Sequence, residues 1–237
     1  MYRSAILFLT LASLVACEAV DSTDVMTDGV YADISAEAEG DGSTRTSAIL
    51  RVGGSTSNTF LELVESDSLT ASTGEDSQTM IDQSIGDFHA YVAEFDVDAE
   101  DTEFVVAFDR EVDESAPNTV MSLPAQFDLT GPEEAVTVSR SQEEITISWE
   151  PSGSDDEMLW SVTGDCFFDA DGGVDGDPGT VTVEAGTLES TDEDEPATCE
   201  ATLTITRSRV GSLDENYGEG GTAFGRQVRS VDILVSP

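Results

Sequence analysis

One short acidic segment of the chain has a spacing that suits a divalent cation. Its carboxylates occupy positions 1, 3, 7 and 9 of a glycine-rich run: Asp169, Asp171, Asp175 and Asp177. Calcium prefers six to eight oxygen ligands, and a flexible acidic loop can supply several of them. An EF-hand loop would also need ligands at positions 5 and 12, where Gly173 and Thr180 stand. Two interpretations stay open, a calcium loop and a solvated acidic loop.

A second candidate is a group of cations near the C-terminus. The last two predicted strands carry Arg207, Arg209, Arg226 and Arg229. If those strands pair as a hairpin, the four side chains form a basic patch, and guanidinium groups suit carboxylate or sulfate ligands. The alternative is that each arginine pairs with acidic residues of the same chain.

Signals for catalysis are few. No serine lies in a Gly-x-Ser-x-Gly turn, and the one histidine, His89, alternates with Tyr91 on a predicted strand, which favours a packing role. Trp149 and Trp160 suit sugar stacking, but Trp149 shares its phase with Ile147, which favours the core. We therefore expect a protein that is not an enzyme, with an exported hydrolase as the remaining alternative.

The N-terminus has the features of an export signal. Arg3 precedes an apolar run over residues 5–14, which is too short to span a bilayer as a helix. The run ends in the sequence LVAC at residues 14–17. This ending resembles the lipobox of bacterial lipoproteins.

The lipobox resemblance has consequences for processing and location. It implies a signal peptide over residues 1–16, cleavage before Cys17, and acyl chains on Cys17 that hold the protein at the membrane. Glu18 follows the cysteine. The absence of an aspartate there favours the outer membrane over the inner, with a periplasmic or surface face. The alternative is an ordinary signal in which Cys17 is incidental.

The charge of the chain excludes one class of partner. It contains 50 acidic residues against 9 basic ones, for a net charge of −41. Such a field repels nucleic acid and anionic lipid head groups. The acids are spread evenly, which indicates adaptation to a salty habitat, with binding of divalent cations as the competing account. Because 38% of the residues are hydrophobic, we expect a folded protein.

The other two cysteines, Cys166 and Cys199, predict a disulfide. Export would place them in an oxidising compartment. Cys166 shares its phase with Trp160 and Val162, and Cys199 shares its phase with Leu203, so both sulfur atoms can point inward from facing strands. A metal site would need more ligands than one histidine supplies.

Strand alternation runs through the chain and predicts an all-β fold of two antiparallel sandwiches in tandem. We expect a lipidated cysteine and acidic tether over residues 17–29, a first sandwich over 30–130, a linker over 131–134, and a second sandwich over 135–237. The second resembles immunoglobulin or fibronectin type III modules in the number and spacing of its strands. One sandwich could also lend a strand to the other.

Four stretches carry a wider resemblance. They are SAILRVGG at 47–54, SAPN at 115–118, ISWEPSG at 147–153 and GDPGT at 176–180. The mature chain resembles uncharacterised lipoproteins of marine and other gammaproteobacteria. This resemblance implies a class of protein and no activity.

These observations together predict a lipid-anchored envelope protein that acts as a structural or binding module. We expect it to present residues 165–179 and 210–224 to a protein or glycan partner, with no nucleic acid and no cofactor. A calcium-dependent module is the alternative.

Overall fold

The computed structural model describes residues 18–192 and 197–237. Within these ranges the chain is almost entirely β-strand, and the helical content is limited to two short 3-10 turns, Ser22–Asp24 and Thr27–Gly29. The predicted all-β fold class is therefore confirmed. The predicted signal peptide and Cys17 lie outside the described residues. None of the described helices has the length and apolar character needed to cross a membrane.

The largest feature of the described chain is a sheet of eleven strands. Its main path runs in the order β1 (Glu18–Asp21), β4 (Thr59–Glu62), β3 (Thr44–Val52), β2 (Val30–Ala38), β18 (Gly221–Ser236), β17 (Cys199–Val210), β14 (Glu157–Gly164) and β15 (Ala170–Val174). Three further strands join this path at its side: β7 (Ile81–Asp82), β8 (Tyr91–Phe95) and β12 (Thr137–Ser139).

Two smaller sheets cover parts of the large one. The first contains β10 (Ala116–Ser122), β9 (Glu103–Asp109), β5 (Ser68–Thr73) and β6 (Asp76–Thr79). The second contains β11 (Asp128–Gly131), β13 (Ile145–Glu150) and β16 (Thr180–Val183). Side chains of the large sheet pack against each small sheet, which gives two hydrophobic cores in a sandwich arrangement.

In the strands of both cores, apolar side chains that face inward alternate with side chains that face outward. In β2 every second residue is buried, and Ala32, Ile34 and Ala36 face inward. Across the first core, the rings of Phe95 and Phe104 meet edge to face at 5.5 Å between their centres.

The second core follows the same rule. Its centre contains Ile147, Val162 and Ile205 together with Trp149, which is 1% exposed. The prediction that Trp149 packs in the core is confirmed.

The last strand connects the two cores. The first part of β18 pairs in parallel with β2, from Gly221 opposite Ala32 to Gln227 opposite Ala38. Much of the rest of its length pairs with β17 and lies over the second core. The C-terminal half thus lends a strand to the first sandwich. The boundary at residues 131–134 stays a prediction, because the large sheet is continuous across both halves.

Glycine is required where β18 passes close to another backbone. A Cβ atom on Gly225 would overlap the carbonyl group of Ser122, which ends β10. A Cβ atom on Gly221, which has a positive φ of 147°, would overlap the carbonyl oxygen of Ala32. These two glycines let the strand enter the first core without displacing its neighbours.

The predicted disulfide is confirmed. Cys166 and Cys199 are bonded, with 5.9 Å between their Cα atoms. The bond ties the segment after β14 to the first residue of β17 and packs against the second core.

Candidate functional site: an arginine junction between the two cores

The predicted calcium loop is in large part a strand. Residues Ala170–Val174 form β15, in which Asp171 lies opposite Ser161 and Gly173 lies opposite Leu159 of β14. Successive side chains of an extended strand point to opposite faces. Asp169, Asp171 and Asp175 would share a face, but an extended strand rises about 3.3 Å per residue. The strand therefore spaces these carboxylates along its length and does not wrap them around a single point.

Asp177 is already engaged inside the protein. Its buried carboxylate accepts hydrogen bonds from Trp149 Nε1 at 2.6 Å, the Ser154 amide at 2.9 Å and Arg207 Nη2 at 2.7 Å. Within residues 18–192 and 197–237, no three His, Cys, Asp or Glu side chains are grouped to hold a metal ion. Calcium stays a prediction, but this geometry does not support the four-aspartate site.

Arg207, the partner of Asp177, is buried beside the second core, against the chain segment that follows Leu123 of the first core. Its side chain is 1% exposed. Its guanidinium donates to the carbonyl oxygens of Ala125 at 2.9 Å and Pro151 at 2.8 Å, and lies 5.0 Å from the centre of the Phe127 ring. Arg207 thus binds chain segments on both sides of the predicted linker.

Two further arginines lie on the same face of the β17–β18 hairpin. Arg207 is opposite Gln227, while Arg209 is opposite Gly225 and Arg229 is opposite Ile205. Since alternate residues of a strand share a face, all three arginines face the region between the cores.

Arg209 is the member of this group that forms ion pairs with two aspartates near the protein surface. Its Nε and Nη2 atoms donate to the two oxygens of Asp156 at 2.8 and 2.9 Å, and Nη1 donates to Asp101 at 2.7 Å. Burial opposes ionisation of Asp156, but hydrogen bonds from Arg209 and Ser154 outweigh it and hold the pKa of that carboxyl below its usual value.

Arg229 is held by neutral groups. It donates to the carbonyl oxygens of Ala38 at 3.2 Å and Val228 at 2.8 Å, and it lies 5.2 Å from the Phe127 ring centre. Burial lowers the pKa of its guanidinium, although Asp128 and Asp98 oppose that shift. Phe127 thus has two guanidinium groups near its ring, a favourable cation–π arrangement.

The predicted patch of four arginines is not formed. The hairpin pairing is present, but Arg226 lies opposite Ser208 and so on the other face of the sheet from Arg207. It pairs with Glu37 at 2.7 Å and lies 4.9 Å from the centre of the Phe224 ring. Strand alternation places the four arginine side chains on two different faces of the sheet. Each of them donates hydrogen bonds to acceptors of the same chain.

We call the assembly of Arg207, Arg209, Arg229, Phe127 and their two acidic partners, Asp156 and Asp177, the arginine junction. Arginine stays protonated in proteins, so it supplies no general base. The carboxylates are bonded to cations. The chemistry of the junction is therefore that of internal cross-linking by charge-assisted hydrogen bonds.

The segment predicted to contact a partner at residues 210–224 is anchored to the first core. Tyr217 is 3% exposed and stacks on Phe108 at 6.4 Å, and burial raises the pKa of its hydroxyl. Asp214 accepts hydrogen bonds from the amides of Asn118 at 2.7 Å and Asn216 at 3.0 Å. These contacts fix the segment against β10.

A cleft that the sequence did not indicate lies on the outer face of the large sheet. It has a volume of about 390 Å³. Leu159 and Val228 provide an apolar surface, and Asp171 and the Arg226–Glu37 pair provide polar groups. These residues come from β14, β18, β15 and β2, so no single motif reveals them.

Comparison with known proteins gives no family for this chain. No protein family and no curated protein matches it. Among solved structures, the crystal structure of chicken CNTN1 FN1-FN3 domains is 12% identical, with 86% of this chain and 65% of that chain covered and a TM-score of 0.28. A two fibronectin type-III domain segment from chicken tenascin is 12% identical, with 86% and 98% covered and a TM-score of 0.25. Likenesses this distant carry no inference about the function of this chain.

Replacing Asp156 with asparagine tests the outer part of the junction. Because the folded pKa is lowered, the ionised group stabilises the protein above the unfolded pKa of about 4, and this contribution is lost as the pH falls through the folded value. We expect Asp156→Asn to cost about 1.5–3 kcal/mol at pH 7 and to converge with the wild type in acid, as measured by urea unfolding. The exposed neighbour Asp155→Asn is the control. An equal cost at every pH would contradict the assignment.

The response to salts tests the calcium interpretation. Since the charge of −41 is spread over the chain, any salt should relieve self-repulsion. We expect calcium, magnesium and sodium chlorides at matched ionic strength to raise the melting temperature alike. A rise with calcium alone, abolished in Asp171→Asn, would show that a specific site exists.

Proposed function

We propose that this protein is a lipid-anchored component of the bacterial cell envelope that acts as a rigid, non-catalytic structural or binding module. The arginine junction is the observation that supports a rigid, non-catalytic module, and the lipobox-like residues 14–17 are the observation that supports the anchor. Arg207 and Asp177 are charged residues that the sequence suggested for ligand binding. In the structure they are bonded to each other and buried. In this proposal they join the second core to the segment at Ala125, and Arg209 extends the junction to the carbonyl oxygen of Leu123 in the first core.

Rigidity follows from two independent connections. Arg207 contacts Ala125 before the predicted linker and Pro151 after it. The strand β18 contributes to both cores, with Ala223 in the first and Ile233 in the second. A module with fixed cores can hold a partner at a set distance from the membrane to which Cys17 would anchor it.

The surface charge supports one kind of partner in this proposal. Within the described ranges, every arginine hydrogen-bonds to an acceptor of the same chain: Arg45, Arg51, Arg110, Arg140, Arg207, Arg209, Arg226 and Arg229. The acids greatly outnumber them, so the outward surface is strongly negative. We expect a protein with a basic contact surface or a glycan, and no nucleic acid.

Lipid attachment tests the anchoring. The full chain and its Cys17→Ser variant would be expressed in a gammaproteobacterium fed an alkynyl fatty acid. We expect label and outer-membrane fractionation for the wild type, and neither for the variant. An unlabelled wild type, or equal membrane fractionation of both chains, would overturn the anchored module.

The outer-face cleft favours one specific form of binding. Its combination of apolar Leu159 and Val228 with polar Asp171 and Thr206 is suited to a sugar ring, which presents both kinds of surface. A Cβ atom on Gly173 would meet nothing within 4 Å, so Gly173→Leu should fill the cleft without disturbing the fold.

A glycan array tests this form of the proposal. We expect binding by the wild type that Gly173→Leu abolishes and that Thr163→Leu, which lies outside the cleft on the neighbouring strand β14, retains. Binding that survives in Gly173→Leu, or no glycan bound at all, would leave a protein as the partner.

A further inference from the structure

An exposed hairpin lies beside the first described residues of the chain. β1 pairs in parallel with β4, with Glu18 opposite Thr59 and Ala19 opposite Phe60. The ring of Phe60 packs edge to face against Phe88, with 5.0 Å between centres. The segment that contains Phe88 therefore adjoins the point at which Cys17 joins the fold.

Residues 81–92 form this hairpin, which we call the apolar hairpin. Ile81 lies opposite Val92, and Ile85 forms a bridge with Phe88 across a turn at Gly86, whose φ is 63°. Strand alternation places Ile81 and Ile85 on the same face.

The two isoleucines are exposed to an unusual degree. Ile81 is 68% and Ile85 is 82% exposed, and Ile85 is the most exposed large apolar residue in the described chain. The neighbouring Asp82 lies on the alternate face, where its carboxylate is 3.0 Å from Nδ1 of the buried His89. The hairpin thus separates its apolar side chains from this hydrogen-bonded pair.

One cation of this acidic protein, Arg45, contacts the hairpin while its Nη1 pairs with Glu94 at 3.2 Å, and a second, Arg51, lies beside Phe60. Arg45 Nη2 donates to Gln83 Oε1 at 2.6 Å, and the side chain of Arg45 is 46% exposed, the highest value among the ion-paired arginines of the described chain. Arg51 lies 5.6 Å from the centre of the Phe60 ring. Guanidinium groups at this position suit the phosphates of lipid head groups.

We infer that the apolar hairpin rests in the surface of the phospholipid leaflet to which Cys17 is attached. This inference rests on the proposed lipid anchor, which brings the hairpin to the membrane. Ile81 and Ile85 enter the boundary between head groups and acyl chains, and Arg45 lies at the phosphates. Because the protein as a whole repels anionic lipid, the leaflet surface that fits is zwitterionic. The hairpin would fix the orientation of the module on the membrane.

Tryptophan quenching tests the inference on the full lipidated chain. The protein is reconstituted in phosphatidylcholine vesicles with brominated acyl chains, which quench tryptophan at the acyl boundary. The test variant is Ile85→Trp. The matched control is Phe168→Trp, an aromatic residue that is 62% exposed and follows the disulfide cysteine of the second core. We expect the added emission of Ile85→Trp to be blue-shifted and lost in brominated vesicles, and that of Phe168→Trp to be retained.

Flotation of the same samples separates the two proposals. If the protein floats with vesicles but the emission of Ile85→Trp is unquenched, the hairpin inference fails and the anchor stands. If the wild type is not lipidated and does not float, both fail. A blue shift that depends on protein concentration and not on bromine would overturn the inference in favour of a second copy of the chain.

Discussion

Replacing Arg207 with methionine is expected to lower the free energy of unfolding by about 3–5 kcal/mol. The substitution keeps most of the apolar side chain but removes the guanidinium. It would leave the buried carboxylate of Asp177 without its cation, and the carbonyl oxygens of Ala125 and Pro151 without their donor. Urea unfolding followed by far-ultraviolet circular dichroism measures the loss.

Two further variants make this prediction specific. Arg45→Met removes the partly exposed Arg45–Glu94 pair and should cost no more than about 1 kcal/mol. The double variant Arg207→Met with Asp177→Leu should recover part of the loss, because it leaves no unpaired buried charge. A cost for Arg207→Met as small as that for Arg45→Met would contradict the structural role of the junction.

Removing the disulfide is expected to have the second large effect. Cys166 and Cys199 are 33 residues apart, and closing a loop of that length should stabilise the fold by about 3–4 kcal/mol in the chain-entropy model. We expect Cys166→Ala with Cys199→Ala to lose this amount in urea unfolding. The dependence of the free energy on urea should steepen, because the unfolded chain exposes more surface without the bond.

Chemical reduction of the wild type provides the matching control. Dithiothreitol should reproduce the loss in the wild type and leave the double alanine variant unchanged. If reduction changes the stability of the variant as well, or leaves the wild type unaltered, the bond does not have the stabilising role assigned to it.

Much of the fold could be predicted because it follows from local periodicity. Alternation predicted an all-β fold and a buried Trp149, and both are observed. The phase of Cys166 and Cys199 on their strands likewise predicted the disulfide. In each case the deciding feature is a pattern of period two, which the sequence displays directly.

The candidate site could not be predicted because its contacts are distant in sequence. Asp177 and Arg207 were assigned to different sites, a calcium loop and an anion patch, yet they are ion-paired across 30 residues. Spacing within one segment does not reveal a partner on another. Gly172 and Gly173 suggested a loop, whereas Gly172 lies in β15 under the Trp160 ring, which a Cβ atom would meet at 2.8 Å.

The pairing of β18 with β2 could not be predicted for the same reason, since its partner is distant in sequence. Its alternation is visible in Val231, Ile233 and Val235, but its pairing partners are not. The parallel register between Gly221 and Ala32 joins residues from opposite ends of the chain. The close approach of the backbones explains why Gly225 is a glycine, and at Gly221 a positive φ adds to the same cause.

If the two cores form one rigid unit, they unfold together, and differential scanning calorimetry of residues 18–237 measures whether they do. We predict a single transition in which the calorimetric and van't Hoff enthalpies agree, because β18 and Arg207 contribute to both halves. Two separate transitions, one for each core, would contradict the account.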